Sequence, residues 1–280
     1  MIRSLILILA ICCNAYTQNA TAQDFSSTKK GDFYFYWGYN LDWYSKSDIS
    51  FTGDGYDFML KDVVAKDRQS KFKLDPYFKL NKLTIPQYNM RLGYFISDKY
   101  SITLGWDHMK YVMAQGQTVK INGTINNVDT LYNGEYTDKD IKLTPEFLTF
   151  EHTDGLNYAN AELRRYDHLL HKNKVDISAV SGIGMGFIYP RTNVSLMNIG
   201  RADQWHYSGY GASAVIGANA TFYKHYFIQT ELKGGYINMP DILTTYRKED
   251  RAKQSFFFSQ WNVVFGARFN ILKSSSDGPK

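Results

Sequence analysis

From Phe256 to Leu272 the chain sets apolar Phe257, Trp261, Val263, Phe265, Ala267, Phe269 and Ile271 against Gln260, Asn262, Gly266, Arg268 and Asn270. This two-residue period recurs along most of the sequence and calls for strands with one apolar and one polar face. A soluble sheet turns its apolar face to a protein core. Eight such strands without a helical stretch, behind a secretion signal, turn that face outward to lipid instead. The fold class expected is an all-β, eight-stranded antiparallel transmembrane β-barrel with long external loops.

The leader rests on Met1-Ile2-Arg3, an apolar run from Leu5 to Cys13, and Ala20-Thr21-Ala22. It has the charge, short apolar core and small-residue cleavage site of a signal peptide, so residues 1–22 are expected to be removed. The run is too short to span a bilayer, which takes about 20 apolar residues. Both cysteines, Cys12 and Cys13, fall within it, so the mature chain forms no disulfide. The barrel is expected over 23–272, followed by a polar tail at 273–280. The net charge of +5 says little about nucleic acid, and no nucleic-acid partner is expected. The 22 Tyr and 18 Phe suit a membrane interface, where a ring is buried and a polar tip stays wet. A mean hydropathy of -0.38 fits a barrel whose strands show half their residues to a polar interior.

The alternation marks spanning strands at 32–44, 86–96, 99–114, 157–170, 174–189, 206–222, 225–238 and 255–272. Their connections alternate strictly between short and long. Ser97-Asp98, His171-Lys172-Asn173 and Lys224 are the short turns; 45–85, 115–156, 190–205 and 239–254 are the long loops. Outer-membrane barrels show this asymmetry, with short periplasmic turns, long extracellular loops and both termini periplasmic. The first loop contains a hairpin signal at Gly53-Asp54-Gly55, and the second pairs 118–126 with 128–136 around Asn126-Asn127. Both hairpins are expected to extend the sheet above the membrane.

Four stretches stand out: Lys30-Gly31-Asp32-Phe33-Tyr34, Gly53-Asp54-Gly55-Tyr56-Asp57, Leu104-Gly105-Trp106-Asp107-His108-Met109-Lys110 and Glu151-His152-Thr153-Asp154-Gly155-Leu156-Asn157-Tyr158. Through them the sequence resembles small outer-membrane barrels of the Bacteroidota type, and the resemblance covers most of the mature chain. It implies placement in the outer membrane and no particular activity.

Strand alternation sends four acids and four bases inward: Arg91, Asp107, Glu162, Arg164, Asp176, Glu231, Lys233 and Arg268. An eight-stranded barrel is just wide enough for side chains to fill it. Buried charges must pair, so these residues are expected to form a salt-bridged plug. A narrow ion path is the alternative. Gly182-Ile183-Gly184-Met185-Gly186 has no helix after it, as a phosphate-binding loop requires; its glycines leave room for neighbouring side chains.

Glu151-His152-Thr153-Asp154, with Glu162 beyond, is the most chemical stretch. It is weakly similar to the outer-membrane lipid A deacylases, whose His-x-Ser motif precedes a Glu. Here Asp154 stands where the serine would be, so a hydrolase would need His152 to activate water with Asp154 or Glu162 orienting it. His152 with Glu151, Asp154 and His108 is the competing metal-binding grouping, without a calcium-loop spacing. Neither a cofactor nor a metal is expected. Basic residues crowd the first and last loops: Lys61, Lys66, Arg68, Lys71 and Lys73, then Arg247, Lys248, Arg251 and Lys253. They suit lipopolysaccharide phosphates as well as plain solvation. The favoured role is non-catalytic: a membrane-anchored structural or interaction protein, or a subunit of a larger envelope assembly with other outer-membrane proteins.

Overall fold

The computed structural model describes residues 28–270, apart from 72, 78, 80, 81, 83, 84, 127, 129, 130, 200 and 201. The expected leader and polar tail lie outside the described residues. Eight strands form a closed ring: β1 (Phe33–Tyr44), β5 (Tyr88–Phe95), β6 (Tyr100–Met113), β9 (Leu148–Lys172), β10 (Val175–Ile188), β12 (Gly209–Phe222), β13 (Tyr226–Leu243) and β14 (Arg251–Phe269). Each pairs antiparallel with its neighbours. β1 closes the ring on β14, from Phe33 opposite Phe269 to Tyr44 opposite Phe258. The protein is an eight-stranded antiparallel transmembrane β-barrel with long loops at one end.

The outer wall explains that solution. Phe35, Leu92, Ile102, Leu104, Ile183, Met185, Ile216, Leu232 and Phe265 are all exposed on it. Towards the long-loop end stand exposed Trp43, Trp205, Tyr207, Tyr210 and Phe257; towards the short-turn end stand Tyr100, Tyr223, Tyr226 and Phe269. An apolar band between two aromatic girdles is stable in a bilayer and costly in water. No helix among the described residues is long and apolar enough to cross a membrane, so any crossing is made by strands.

The short turns fall at 96–99, 173–174 and 223–225, all at the end that holds Phe33 and Phe269. At the opposite end, β2 (Ser47–Gly53), β3 (Tyr56–Val63), β7 (Thr118–Ile125) and β8 (Gly134–Lys142) extend the sheet as a platform. β2 pairs with Arg251–Gln254 of β14, β3 with β2, β7 with β3, and β8 with β7. Its apolar inner face rolls over the barrel mouth. Ile49, Phe51, Phe58, Leu60 and Ile121 are buried in one cluster with Met109, Leu156, Ile237 and Phe258 of the ring. Phe51 and Phe58 stack at 5.2 Å between ring centres. β11 (Asn193–Leu196) adds a short flap on β9.

Three boundaries differ from expectation. β9 begins at Leu148 rather than 157, so the Glu151–Asp154 stretch is strand and not loop. The second hairpin's return arm runs over Gly134–Lys142 rather than 128–136, and Asp138 adopts a φ of 53° on it. β13 and β14 overrun their expected ends, which leaves a connection of only 244–250. One irregularity bears on the site. β5 starts at Tyr88, opposite Tyr39 and His108, whereas β1 and β6 continue past it. The gap above β5 is lined by described residues of the segment between β3 and β5, which include β4 (Ala65–Lys66) paired to Met113 and Val112, Asp67 against the Asp42 backbone and Gln87 against Asn40.

Candidate functional site in the barrel lumen

All eight charged residues assigned inward by alternation are buried, none more than 4% exposed. Six gather into one layer across the middle of the barrel. The Arg91 guanidinium reaches Asp107 at 2.6 Å and Glu162 at 3.2 Å. Lys233 Nζ reaches the same two carboxylates at 2.6 and 2.7 Å. Arg164 Nε donates to Glu162 at 2.6 Å, and its Nη1 donates to Glu231. Three positive groups thus face three negative ones in alternating order. Amides fill the remaining lone pairs: Asn160 donates to Asp107 at 3.0 Å and Asn262 to Glu231 at 3.3 Å. Pairing plus hydrogen bonding is the condition under which charges survive out of water.

Local sequence makes the room. A Cβ at Gly105 would meet the Arg91 guanidinium stem at 2.4 Å, and one at Gly184 would meet Glu162 Cγ at 2.5 Å. Gly182 and Gly184 therefore face the lumen beneath the ion-paired Arg164 and Glu162, while Gly186 lies against the backbone of Ala159 and Asn160.

The other two charges lie nearer the short-turn end. Arg268 sits within 5.4–5.7 Å of the Phe95, Tyr166 and Phe227 ring centres and donates to Asn219 at 3.3 Å. Tyr34 and Tyr36 complete this aromatic layer. Asp176 Oδ1 lies 2.8 Å from His168 Nδ1 and 3.6 Å from His171 Nδ1. On the long-loop side of the ionic layer comes a polar cluster of Asn40, Asp42, Gln87, Asn89 and Gln260, and above it the apolar cap. Gln260 donates to Asp42 at 3.0 Å and Gln87 to Asp42 at 2.7 Å. Asp42 is a lumen carboxylate absent from the expected set. The alternation of β1 puts it with Tyr34, Tyr36 and Asn40 on the inner face.

The structure does not bring His152, Asp154 and Glu162 together. His152 is fully buried in the part of β9 above the apolar belt, with Nδ1 2.9 Å from Thr192 Oγ1 and its ring against Phe150 and Tyr111. Burial pushes its imidazole down to about 3, so it is neutral at physiological pH. Asp154 should share its side of an extended strand. Instead the ladder slips opposite, between Met109 and Tyr111, and Gly155 takes a φ of 133°. Asp154 turns outward, 58% exposed and 3.7 Å from Arg191. Glu162 belongs to the ionic layer. His108 stacks on Tyr88 and meets Asn157 at 2.8 Å, apart from Glu151, which pairs with Arg68 at 2.9 Å. Among the described residues no three His, Cys, Asp or Glu side chains converge as metal ligands.

No protein-family model matches the chain, and no curated protein matches it. Among solved structures it is similar to the outer membrane protein OprG from Pseudomonas aeruginosa at 12% identity and a TM-score of 0.38, over 88% of this chain and 100% of that one. It is similar to the outer membrane protein AlkL at 8% identity and a TM-score of 0.42, over 93% and 100%. The attachment invasion locus protein Ail of Yersinia pestis, solved with the heparin analogue sucrose octasulfate, matches at 11% identity and a TM-score of 0.30, over 86% and 99%. All three are Gram-negative outer-membrane barrels. The fold stated above rests on this chain's own strand pairing.

Proposed function

We propose that this protein is a closed outer-membrane barrel that presents a folded platform for interaction and conducts no solute. The observation that carries this reading is the filled lumen: aromatic rings, a balanced ionic layer and an apolar cap succeed one another along the axis. The ordering of β2, β3, β7 and β8 into a platform costs backbone entropy, and a surface for a partner is one way to offset it. In this reading a leader over 1–22 directs export. The short-turn end and both termini face the periplasm, and the platform faces outward. Lys61, Arg68 and Arg251 are engaged by Asp48, Glu151 and Asp241. That leaves Lys66, Lys71, Lys73, Arg247, Lys248 and Lys253 to meet lipopolysaccharide phosphates by charge-assisted hydrogen bonds. Other envelope proteins are the partners expected on the platform. The buried, neutral His152 lends no support to a hydrolase.

The test is a gentle-detergent pull-down of the tagged protein from its native membrane, with mass spectrometry of protein and lipid together. A stoichiometric envelope partner lost on deletion of the 118–142 hairpin supports the reading. A lone barrel, or steady conductance in planar bilayers, overturns it.

A further inference from the structure

The middle ionic layer balances its own charges, and Asp42 stands outside that balance. It is 4% exposed, and among the described residues no Lys or Arg lies within ion-pair distance of it. Asp67 is its neighbour, on the segment that lines the gap above β5. The backbone N–H of Asp42 donates to Asp67 Oδ2 at 2.9 Å. Asp67 has no ion pair among the described residues either, and none of them donates a hydrogen bond to its buried Oδ1. Burial pushes the Asp67 carboxyl up, and the nearby Lys110, whose Nζ donates to the Ile85 carbonyl at 2.9 Å, offsets this only in part.

Gln87 supplies the second observation. It is fully buried; its Nε2 donates to Asp42 Oδ2 at 2.7 Å and to Asn40 Oδ1 at 3.3 Å, and its Oε1 has no donor among the described residues. Turning the amide over does not repair this, because the carbonyl oxygen would then press on the Asp42 carboxylate. The buried Asp42 and Gln87 and the partly exposed Asp67 thus carry two carboxylates with no cation among the described residues, and two oxygens, Asp67 Oδ1 and Gln87 Oε1, that no donor among them reaches. The chemistry that balances an all-oxygen set of this kind is a hard cation, which takes carboxylates and amide carbonyls in flexible geometry.

We propose that Asp42, Asp67 and Gln87 form a binding site for a divalent cation, calcium, at the seam where β1 meets the segment between β4 and β5. Asp42 belongs to β1, Asp67 follows β4, and Gln87 leads into β5. An ion held by all three ties that segment to the ring.

The test uses the refolded full-length mature chain in detergent after exhaustive EDTA treatment, titrated with calcium chloride by calorimetry and equilibrium dialysis. One calcium per chain is expected, together with a rise in the thermal unfolding midpoint. Asp67→Asn and Asp42→Asn should bind at least roughly tenfold more weakly, since even outer-shell changes at metal sites cost that much. Asp48→Asn, at an exposed acid paired with Lys61, should bind as wild type. Asp67 lies outside the strands, so its variant tests the site even where Asp42→Asn does not fold. Calcium binding by wild type no stronger than by Asp67→Asn overturns the proposal. So does an infrared band of a protonated carboxyl group that persists in calcium and vanishes in Asp42→Asn, which assigns the surplus to a shared proton.

Discussion

Replacing Arg164 by methionine keeps much of the side chain's volume and removes its charge. The consequences fall unequally on its two partners. Glu162 retains Arg91 at 3.2 Å and Lys233 at 2.7 Å. Glu231 retains no cation within ion-pair distance among the described residues, only the Tyr36 hydroxyl at 3.4 Å and the amides of Gln229 and Asn262. Breaking a buried pair from one side leaves an uncompensated charge and costs about 3–5 kcal/mol. At about 1.4 kcal/mol per decade, that is a loss of roughly two to three and a half orders of magnitude in the folding constant. Arg164→Met with Glu231→Gln removes both charges at once, and replacing a buried pair by neutral groups is often close to neutral. The double variant should therefore be more stable than the single one, with a coupling energy of roughly 2–3 kcal/mol. Urea titrations of protein folded into lipid vesicles, read by tryptophan fluorescence, measure all members of the cycle. If Arg164→Met costs less than about 1 kcal/mol, or if the double variant is no more stable than the single one, the balance of charges in the lumen is not what holds it.

His152 gives a pH signature. Its folded-state value of about 3 lies below the ordinary 6.5, so the unfolded chain takes up a proton that the native cap refuses. Stability is lost as pH falls from 6.5 towards 3, by up to about 1.36 kcal/mol per pH unit. His152→Gln should flatten the dependence of urea stability on pH between 6 and 4 by up to one proton relative to wild type; an unchanged slope refutes the argument. Gly184→Val should fold poorly, because its Cβ would lie 2.5 Å from Glu162 Cγ and 2.8 Å from the Ala161 carbonyl oxygen. Overpacking of this kind costs about 1–3 kcal/mol, measurable as a lower urea midpoint.

Most of the barrel was legible because lipid outside and polar side chains inside impose a period of two. β1, expected at 32–44 and found at Phe33–Tyr44, and β10, expected at 174–189 and found at Val175–Ile188, needed nothing more. β9 was harder. Its upper part mixes Glu151, Thr153 and Asp154 with Phe150 and His152 above the belt, where lipid no longer enforces the pattern, and Gly155 breaks the alternation. β8 was misplaced because Glu135, Asp138, Lys139 and Asp140 give an outer strand no apolar face to read. The lumen divides in the same way. Which residues point inward follows from alternation, and Asp42 was as readable as Arg91. Which of them meet does not follow, because Lys233 reaches Asp107 across the lumen from a strand 126 positions later. His152 and Asp154 looked close along the chain and were parted by a slip in the ladder that no spacing announces, while Glu162 lies further down the same strand in the ionic layer.

β14 carries a consequence of its own. Its lower part, Phe258–Phe269, takes β1 as partner, and its upper part, Arg251–Gln254, takes β2. One late segment is therefore both the seam of the cylinder and the mooring of the platform. A chain emerging from its N-terminus cannot mature step by step, since the earliest strand waits for the latest before either has its second neighbour. Until that meeting the apolar wall has two open edges, each a template for another chain. Removal of the final nineteen-residue strand would cost the molecule its closure and its platform's anchorage in a single stroke.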